Sequence, residues 1–281
     1  MRKDRPSMTA LGVARHRAAH QMLDKPLVFE DPLAMAILGP DSAIQLAAWH
    51  PLPEPRTSRY LRAFVSVRSR YSQDELALAV ERGVQQCVIL GAGLDTFAYR
   101  NPYPGLRVFE VDHPATQERK RAQLQSSGIS IPDSLSFVPV DFERETFVDG
   151  LGRAGFRPKV PAFFSWLGVV PYLAVETTLE TLRLIASLAP LNTLVFDYPE
   201  PRESLSEQHR AAFDRLTSRV AAAGEPLKGF FVPAELKAQL HGMGFDSLED
   251  LHAEAINARF FAGRDDGLRV AGLAHLVCAR R

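Results

Sequence analysis

The sequence predicts an α/β fold: a doubly wound, mostly parallel sheet of seven strands with an antiparallel last strand, preceded by an N-terminal helical cap. From about residue 85 onward, short apolar runs alternate with stretches of helical periodicity, which is typical of a parallel sheet covered by helices. The last two apolar runs, near 245–251 and at 273–279, show no evident crossover helix between them. The final strand should therefore run antiparallel to its neighbour.

Composition narrows the class of protein. With 281 residues, 46% of them hydrophobic, the chain can bury a large core. Lys+Arg and Asp+Glu count 33 each, so a nucleic-acid partner is not expected. No apolar run approaches the roughly 20 residues that span a bilayer, and the start MRKDRPSMT lacks the apolar centre of a secretory signal. We therefore expect a cytoplasmic protein without a membrane partner; the sequence leaves its oligomeric state unknown.

The elements follow in order along the chain. The segment 177–188 has apolar residues at helical spacing and stops before Pro190. A polar, charge-rich segment around 199–232 is predicted to be an insert. The predicted strands are 86–90, 106–111, 135–140, 161–167, 192–198, one near 245–251 and 273–279. Cys87 and Cys278 both lie inside such apolar runs, where buried free thiols are expected.

The first part of the chain differs in character. Residues 1–58 contain two helical stretches and a proline-rich connection, and we predict that they form a cap over a main domain of residues 59–281. His16 and His20 lie four residues apart on the first helix and could share a metal. No third ligand at matching spacing and no H-E-x-x-H pattern accompanies them, so no metal site is predicted.

A glycine turn follows the first strand in CVILGAGLDTFAYR. Gly91 and Gly93 allow a tight turn and let a ligand approach the backbone closely. The third glycine of a dinucleotide fingerprint would fall at Thr96, which argues against a nicotinamide-dependent oxidoreductase without removing that alternative. A purely structural turn is a second alternative.

Acidic residues end the next two strands. Asp112 lies 21 residues after Gly91, where a carboxylate can accept hydrogen bonds from both hydroxyls of a ribose. Asp141 ends the third strand. Because the carboxyl ends of parallel strands share one edge of the sheet, these residues should line one crevice, although either aspartate alone could be a helix N-cap.

The stretches FVSVRSR, VILGAGLDTFAYR, VFEVDHP, VPVDF and SWLGVVPYL resemble those of the class I S-adenosyl-L-methionine-dependent methyltransferases. Within that class they are similar to the leucine carboxyl methyltransferase-like family, which includes bacterial O-methyltransferases. TALGVARHRA and FEDPLA resemble the family's N-terminal cap, so the resemblance covers nearly the whole chain. It implies a Rossmann-like sheet, S-adenosyl-L-methionine as cofactor and a methyltransferase activity.

The resemblance also implies site residues. The glycine turn would pass under the methionine part of the cofactor, Asp112 would hold the ribose, and Arg68 would pair with the cofactor carboxylate, with Arg70 as the alternative. The implied cofactor-binding set is Arg17, Arg68, Gly91, Ala92, Gly93, Asp112, His113, Asp141, Phe142, Ser165 and Trp166. Arg17 would be a second basic partner of the carboxylate, Asp141 and Phe142 would flank the adenine, and Ser165 and Trp166 would border the methionine side by their backbone.

The sequence departs from the family pattern at one point. Many members have a glutamate five residues before a tyrosine, and here Leu167 occupies that position ahead of Tyr172. A contact from that glutamate is therefore not expected, which weakens the expectation of protein-leucine carboxyl methylation.

Methyl transfer is an in-line displacement, so the acceptor must be held against the methyl carbon in a dry pocket. The sequence shows no obligatory general base, which favours a carboxylate or phenol of a small-molecule acceptor. Arg59, Tyr60 and Tyr172 are the candidates for the acceptor pocket. A methyltransferase-like protein that binds without catalysis is the remaining alternative, while the absence of G-x-S-x-G and G-K-[ST] motifs excludes the corresponding hydrolases and nucleoside triphosphatases.

Overall fold

A computed structural model describes residues 8–49, 54–141, 146–222 and 224–281. The helices are α1 (Met8–Leu23), α2 (Ser42–Trp49), α3 (Arg56–Glu81), α4 (Pro114–Ser126), α5 (Phe147–Arg153), α6 (Val175–Ser187), α7 (Glu207–Ala222), α8 (Pro233–Gly242) and α9 (Ala253–Phe260). The strands are β1 (Gln86–Leu90), β2 (Arg107–Asp112), β3 (Leu135–Pro139), β4 (Phe163–Trp166), β5 (Thr193–Pro199), β6 (Ser247–Leu251) and β7 (Ala274–Arg280).

The strands form one seven-stranded sheet in the order β3-β2-β1-β4-β5-β7-β6. β1 pairs in parallel with β2 and β4, and the parallel pairing continues to β3 and β5. β7 runs antiparallel to both β5 and β6. The predicted fold class, including the antiparallel last strand, is confirmed.

One expectation about the last two strands is wrong, because the short helix α9 lies between β6 and β7. His252 begins this helix by accepting a hydrogen bond from the N–H of Ala255 at 3.1 Å. The helix has 8 residues and buries Ile256. Since neighbouring antiparallel strands need no crossover, the helix does not change the direction of β7.

Hydrophobic side chains alternate between the two faces of the sheet, as strand geometry requires. Phe164 and Trp166 of β4 belong to a core that includes residues of α5, α6 and α8. Phe163, on the other face of the same strand, packs with residues of α3 and α9. Both faces are thus covered by helices, which leaves the carboxyl ends of the parallel strands as the place for a ligand.

Helix α1 is held against α3 by buried charges. Arg62 of α3 donates from Nε and Nη2 to the carboxylate of Asp24, at 2.8 and 2.9 Å. Asp24 is also 2.7 Å from Nδ1 of His20. Charge-assisted hydrogen bonds of this kind hold the pKa of Asp24 below its ordinary value, although its burial acts to raise it.

The boundary of the cap at residue 58 and the extent of the insert stay predictions.

The structure bears on two other expectations. Both cysteines are free and buried, and burial raises the pKa of each thiol. Among the residues that the structure describes, no helix is long and apolar enough to cross a bilayer.

Candidate functional site

The glycine turn after β1 is tied directly to the end of β2. Gly91 and Gly93 adopt φ angles of +67° and +45°, which favour glycine. The N–H of Gly93 donates to Oδ2 of Asp112 at 2.6 Å, and the N–H of His113 donates to Oδ1 at 2.7 Å. Burial raises the pKa of Asp112, and these two backbone donors oppose that shift. The structure therefore brings the turn, Asp112 and His113 together.

The free face of the turn lies against two other segments. A Cβ atom added at Gly91 would overlap the side chain of Val169, which follows β4. A Cβ atom added at Gly93 would lie 3.1 Å from Cβ of Ala10, in the first turn of α1. The turn is thus covered by α1 and by the segment after β4, and Ala92 within it is buried.

Arg68 reaches the same edge of the sheet from α3. Its Nη1 donates to Oδ2 of Asp197 on β5 at 3.3 Å, and the side chains of the two residues are 8% and 3% exposed. The second carboxylate oxygen of Asp197 accepts from the N–H of Gly168 at 2.5 Å. Burial raises the pKa of Asp197, while the charge of Arg68 opposes the shift.

Asp197 and Gly168 also belong to this site, although neither was predicted from the sequence. Every residue of the strand TLVFDYP is buried. A charged aspartate inside such an apolar run is the feature of the sequence that could have identified Asp197 as a functional residue. Gly168 has φ +71°, and a Cβ atom there would lie 2.6 Å from Nη2 of Arg68. The backbone after β4 thus comes close to the guanidinium group.

The other two predicted arginines have different surroundings. Arg70 is exposed and binds Asp74 one helical turn away at 2.8 Å, so the structure does not bring it to the sheet edge. Arg17 is buried, with Nε 2.6 Å from Oδ2 of Asp31 and Nη2 donating to the carbonyl of Leu94 at 2.6 Å. Arg17 therefore connects α1 to the glycine turn, and its contact with a cofactor carboxylate stays a prediction.

The end of β4 borders a narrow cavity between α3 and the sheet, lined by both polar and apolar residues. Oγ of Ser72 donates to Oγ of Ser165 at 3.1 Å. Trp166 points to the opposite face, where its ring centroid lies 6.4 Å from that of Phe196. Trp166 could border this side only through its backbone. The polar residues that line the cavity are Ser69, Ser72, Gln73, Asp95 and Ser165.

Tyr172 lies in the turn after β4, where three segments meet. Its side chain is hydrogen-bonded to Thr9 of α1, and burial raises the pKa of its phenol. Both the N–H and the hydroxyl of Thr9 donate to the carboxylate of Glu225 in the predicted insert. The N–H of Lys228 donates to the carbonyl of Pro171 at 2.7 Å. Helix α1, the segment around Glu225 and the turn after β4 therefore meet at this end of the site.

The remaining predicted residues are more dispersed. Arg59 lies nine residues before Arg68 on α3, roughly 13 Å along the helix, and donates to the carbonyl of Asp266. Tyr60, next to it, is partly buried. Asp141 follows β3 and is partly buried, whereas Phe142 lies outside the described residues.

The histidine pair of α1 has other partners. Besides its contact with Asp24, His20 accepts a hydrogen bond at Nε2 from the N–H of Val28 at 3.1 Å. Within the ranges that the structure describes, no group of three or more His, Cys, Asp or Glu residues could hold a metal ion.

Comparisons with known proteins identify the family. The family model described as "Leucine carboxyl methyltransferase" matches residues 10–186. The chain belongs to the leucine carboxyl methyltransferase family.

Relatives of this leucine carboxyl methyltransferase family member agree with the assignment. It is 32% identical to "Putative S-adenosyl-L-methionine-dependent methyltransferase YktD" of Bacillus subtilis (strain 168), over 99% of both chains. It is 34% identical to a "Putative S-adenosyl-L-methionine-dependent methyltransferase" of Mycobacteroides abscessus, over 85% of this chain and 75% of the relative. The chain is therefore an S-adenosyl-L-methionine-dependent methyltransferase, as the sequence predicted, and not a nicotinamide-dependent oxidoreductase.

Solved structures agree on the fold of this family member. A "putative methyltransferase" from Thermobifida fusca YX superposes with a TM-score of 0.59 at 16% identity, over 99% of this chain and 95% of the other. A DUF574 family protein from Streptomyces avermitilis MA-4680 gives a TM-score of 0.58 at 17% identity, over 96% and 97% of the two chains. At these identities the likeness supports the methyltransferase fold alone.

Proposed function

We propose that this enzyme transfers a methyl group from S-adenosyl-L-methionine to an oxygen atom, carboxylate or phenol, of a small-molecule acceptor. The observation that carries the cofactor assignment is the set of complementary groups at one sheet edge. Asp112 provides a carboxylate beside the glycine turn, and Arg68 provides a buried cation on the methionine side. The description of the family model supports a carboxyl oxygen as the acceptor.

The residues fit the chemistry of the cofactor. A carboxylate such as Asp112 suits two ribose hydroxyls, since it keeps lone pairs beyond the two N–H donors it already accepts. A guanidinium suits the carboxylate of the methionine part. Gly91 and Gly93 permit close approach of a ligand once Val169 and Ala10 move away from the turn. Binding thus requires α1 and the segment after β4 to separate.

S-adenosyl-L-methionine supplies an electrophilic methyl group on a sulfonium, so the main work of the protein is positioning and exclusion of water. Tyr172, next to the cap and the insert, is the best candidate to contact the acceptor. Its phenol is neutral near pH 7 at the ordinary pKa of 10.0, and burial raises the pKa further, so the hydroxyl can donate a hydrogen bond to the acceptor oxygen. A carboxylate acceptor needs no base at that pH.

The cofactor assignment is tested with Arg68→Gln and the matched variant Arg70→Gln. A hydrogen bond to a charged group contributes roughly 1.5–3 kcal/mol, so loss of the guanidinium should cost about that much binding free energy. We expect Arg68→Gln to weaken S-adenosylhomocysteine binding at least tenfold in calorimetric titration. Arg70→Gln should bind like the unmodified enzyme because Arg70 is exposed. If both variants bind S-adenosylhomocysteine as tightly as the unmodified enzyme, Arg68 is not part of the cofactor site.

The acceptor assignment is tested by transfer of a radiolabelled methyl group to panels of carboxylates, phenols, amines and thiols. The proposal expects products that are methyl esters or methyl ethers. Methylation confined to amines or thiols would overturn the oxygen assignment, and tight cofactor binding without any product would favour the non-catalytic alternative.

A further inference from the structure

We infer that Asp197 binds the α-ammonium group of the cofactor, so that Arg68 and Asp197 together recognise the zwitterionic amino-acid end of S-adenosyl-L-methionine. The inference rests on the proposed role of Arg68 of α3 and adds a residue from strand β5. It concerns the methionine end alone and is independent of the acceptor.

The geometry of the pair leaves capacity for a ligand. The bond from Nη1 to Oδ2 of Asp197, 3.3 Å long, is the one hydrogen bond that Arg68 makes within the described part of the chain. A guanidinium group has five donors, so Nε and Nη2 are unused. The side chain is nevertheless more than nine-tenths buried. An Arg–carboxylate pair selected only for stability would be expected to form two parallel bonds instead.

The electrostatics of the pair also match an amino acid. Removal of two charges from water is expensive, and a single long contact compensates poorly for it. An α-amino acid carries a carboxylate and an ammonium group on one carbon. It can place its carboxylate on Arg68 and its ammonium on Asp197 at the same time. Each buried charge then gains a second partner of opposite charge.

The position of Asp197 fits this role. In the β4–β5 register Trp166 lies opposite Phe196, so Leu167 is next to Asp197 at the sheet edge. Leu167 carries no charge and packs against the hydrophobic core beneath α3. The carboxylate of Asp197 lies instead 2.5 Å from the N–H of Gly168, the residue that follows Leu167. The negative charge at this end of β4 therefore comes from the neighbouring strand.

Asp95 is the competing carboxylate, since it lines the cavity at the end of β4 together with Ser165 and Leu167. Its Oδ1 accepts a hydrogen bond from the N–H of Phe97 at 2.8 Å, within its own turn. Within the part of the chain that the structure describes, Asp95 forms no ion pair with an arginine, whereas Asp197 is paired with Arg68. Asp197 is therefore favoured, and Asp95 is included in the test.

The test measures the affinity of the full chain for four ligands by calorimetric titration. They are S-adenosylhomocysteine, its analogue without the amino group, its analogue without the carboxylate, and 5′-methylthioadenosine, which lacks the amino-acid end. The variants are Asp197→Asn, Arg68→Gln and Asp95→Asn, with Asp74→Asn as a control because Asp74 forms an exposed pair.

We expect Asp197→Asn to weaken the binding of S-adenosylhomocysteine, and of the analogue without the carboxylate, roughly tenfold or more. The affinity for the analogue without the amino group should be unchanged. Arg68→Gln should show the reverse selectivity. If Asp197→Asn weakens binding of the analogue without the amino group but not of the analogue without the carboxylate, Asp197 only orients Arg68 and the inference is wrong. The same selectivity in Asp95→Asn instead would assign the ammonium to Asp95.

Two readouts separate the possible failures. Binding of 5′-methylthioadenosine by each variant shows that the adenosine half of the site is folded, and Asp197→Ser replaces Asp197→Asn if that binding is lost. If Asp197→Asn binds all four ligands like the unmodified enzyme, while Arg68→Gln loses affinity only for ligands that carry the carboxylate, the inference is wrong and the proposed role of Arg68 is retained. Unaltered profiles in both variants would overturn that role as well.

Discussion

At the scale of single residues, the candidate site depends on backbone positions where only glycine leaves enough room. Gly168 is one of them, because its Cα faces the guanidinium of Arg68 and its N–H binds Asp197. The glycine thus holds both members of the charge pair in place. The chain offers a control with the same backbone angle, since Gly263 also has φ +71° and a Cβ atom there would meet nothing within 4 Å.

We predict that Gly168→Ala weakens S-adenosylhomocysteine binding at least tenfold and lowers stability by about 1–3 kcal/mol. Gly263→Ala should lose about 1 kcal/mol of stability, from its positive φ alone, and retain its affinity. Thermal unfolding and calorimetric titration of both variants measure the two effects. Equal affinity losses would mean that the contact with Arg68 has no part in binding.

At the scale of elements, β7 is joined to its two neighbours by side chains as well as by the sheet. His275 of β7 has Nδ1 at 2.7 Å from Asp250 of β6, and Nε2 at 3.0 Å from Glu200 after β5. Its ring stacks on Tyr198 of β5 at 4.9 Å, and the hydroxyl of Tyr198 donates to Asp250 at 2.7 Å. Burial opposes the charged imidazole, but the two carboxylates outweigh it and raise the pKa of His275.

The raised pKa predicts a pH dependence of stability. Since the folded state holds the proton more tightly than the unfolded state, the stabilisation is fully present below the unfolded value of about 6.5 and is lost as pH rises through the folded value. We expect the unmodified enzyme to exceed His275→Gln in unfolding free energy near pH 6, with the difference shrinking at higher pH. Urea unfolding between pH 6 and 9 measures it.

The control for this prediction is His209→Gln, because His209 has no carboxylate partner within the described part of the chain. It should show a much smaller pH trend. A difference between His275→Gln and the unmodified enzyme that stays constant over the whole pH range would contradict a charged His275.

At the scale of the whole molecule, three distant segments close over the glycine turn. Ala10 lies against Gly93, and Thr9 is bound both to Tyr172 and to Glu225. Residues separated by more than two hundred positions therefore meet above the proposed cofactor site. We expect the contact between Thr9 and Glu225 to open before a ligand reaches the turn.

We predict that Glu225→Gln raises the association rate of S-adenosylhomocysteine about fivefold, since about 1 kcal/mol of closing interaction is removed. Surface plasmon resonance measures the rate directly. Glu235→Gln, on the exposed side of α8, serves as the control. An unchanged association rate in Glu225→Gln would show that α1 opens without breaking this contact.

Much of this architecture can be predicted from the sequence, because parallel strands and their turn residues carry local signals. The glycine turn and Asp112 are close in sequence, and the structure joins them by one hydrogen bond. The partners that arise from distant segments carry no such signal. Asp197 is hidden in an apolar strand, the pairing of Thr9 with Glu225 spans 216 positions, and α9 is too short for its periodicity to be detected.

The direction of β7 has a practical consequence for experiments on this enzyme. Because β7 is antiparallel to β5, its last residues lie opposite Thr193, at the edge of the sheet where β5 begins. The glycine turn and Asp112 lie at the other edge, and α1 begins beside them. An affinity tag fused after Arg281 would therefore emerge away from the ligand entrance, whereas one fused ahead of α1 would emerge beside it. Immobilisation through the carboxyl end is the arrangement that leaves ligand exchange unhindered.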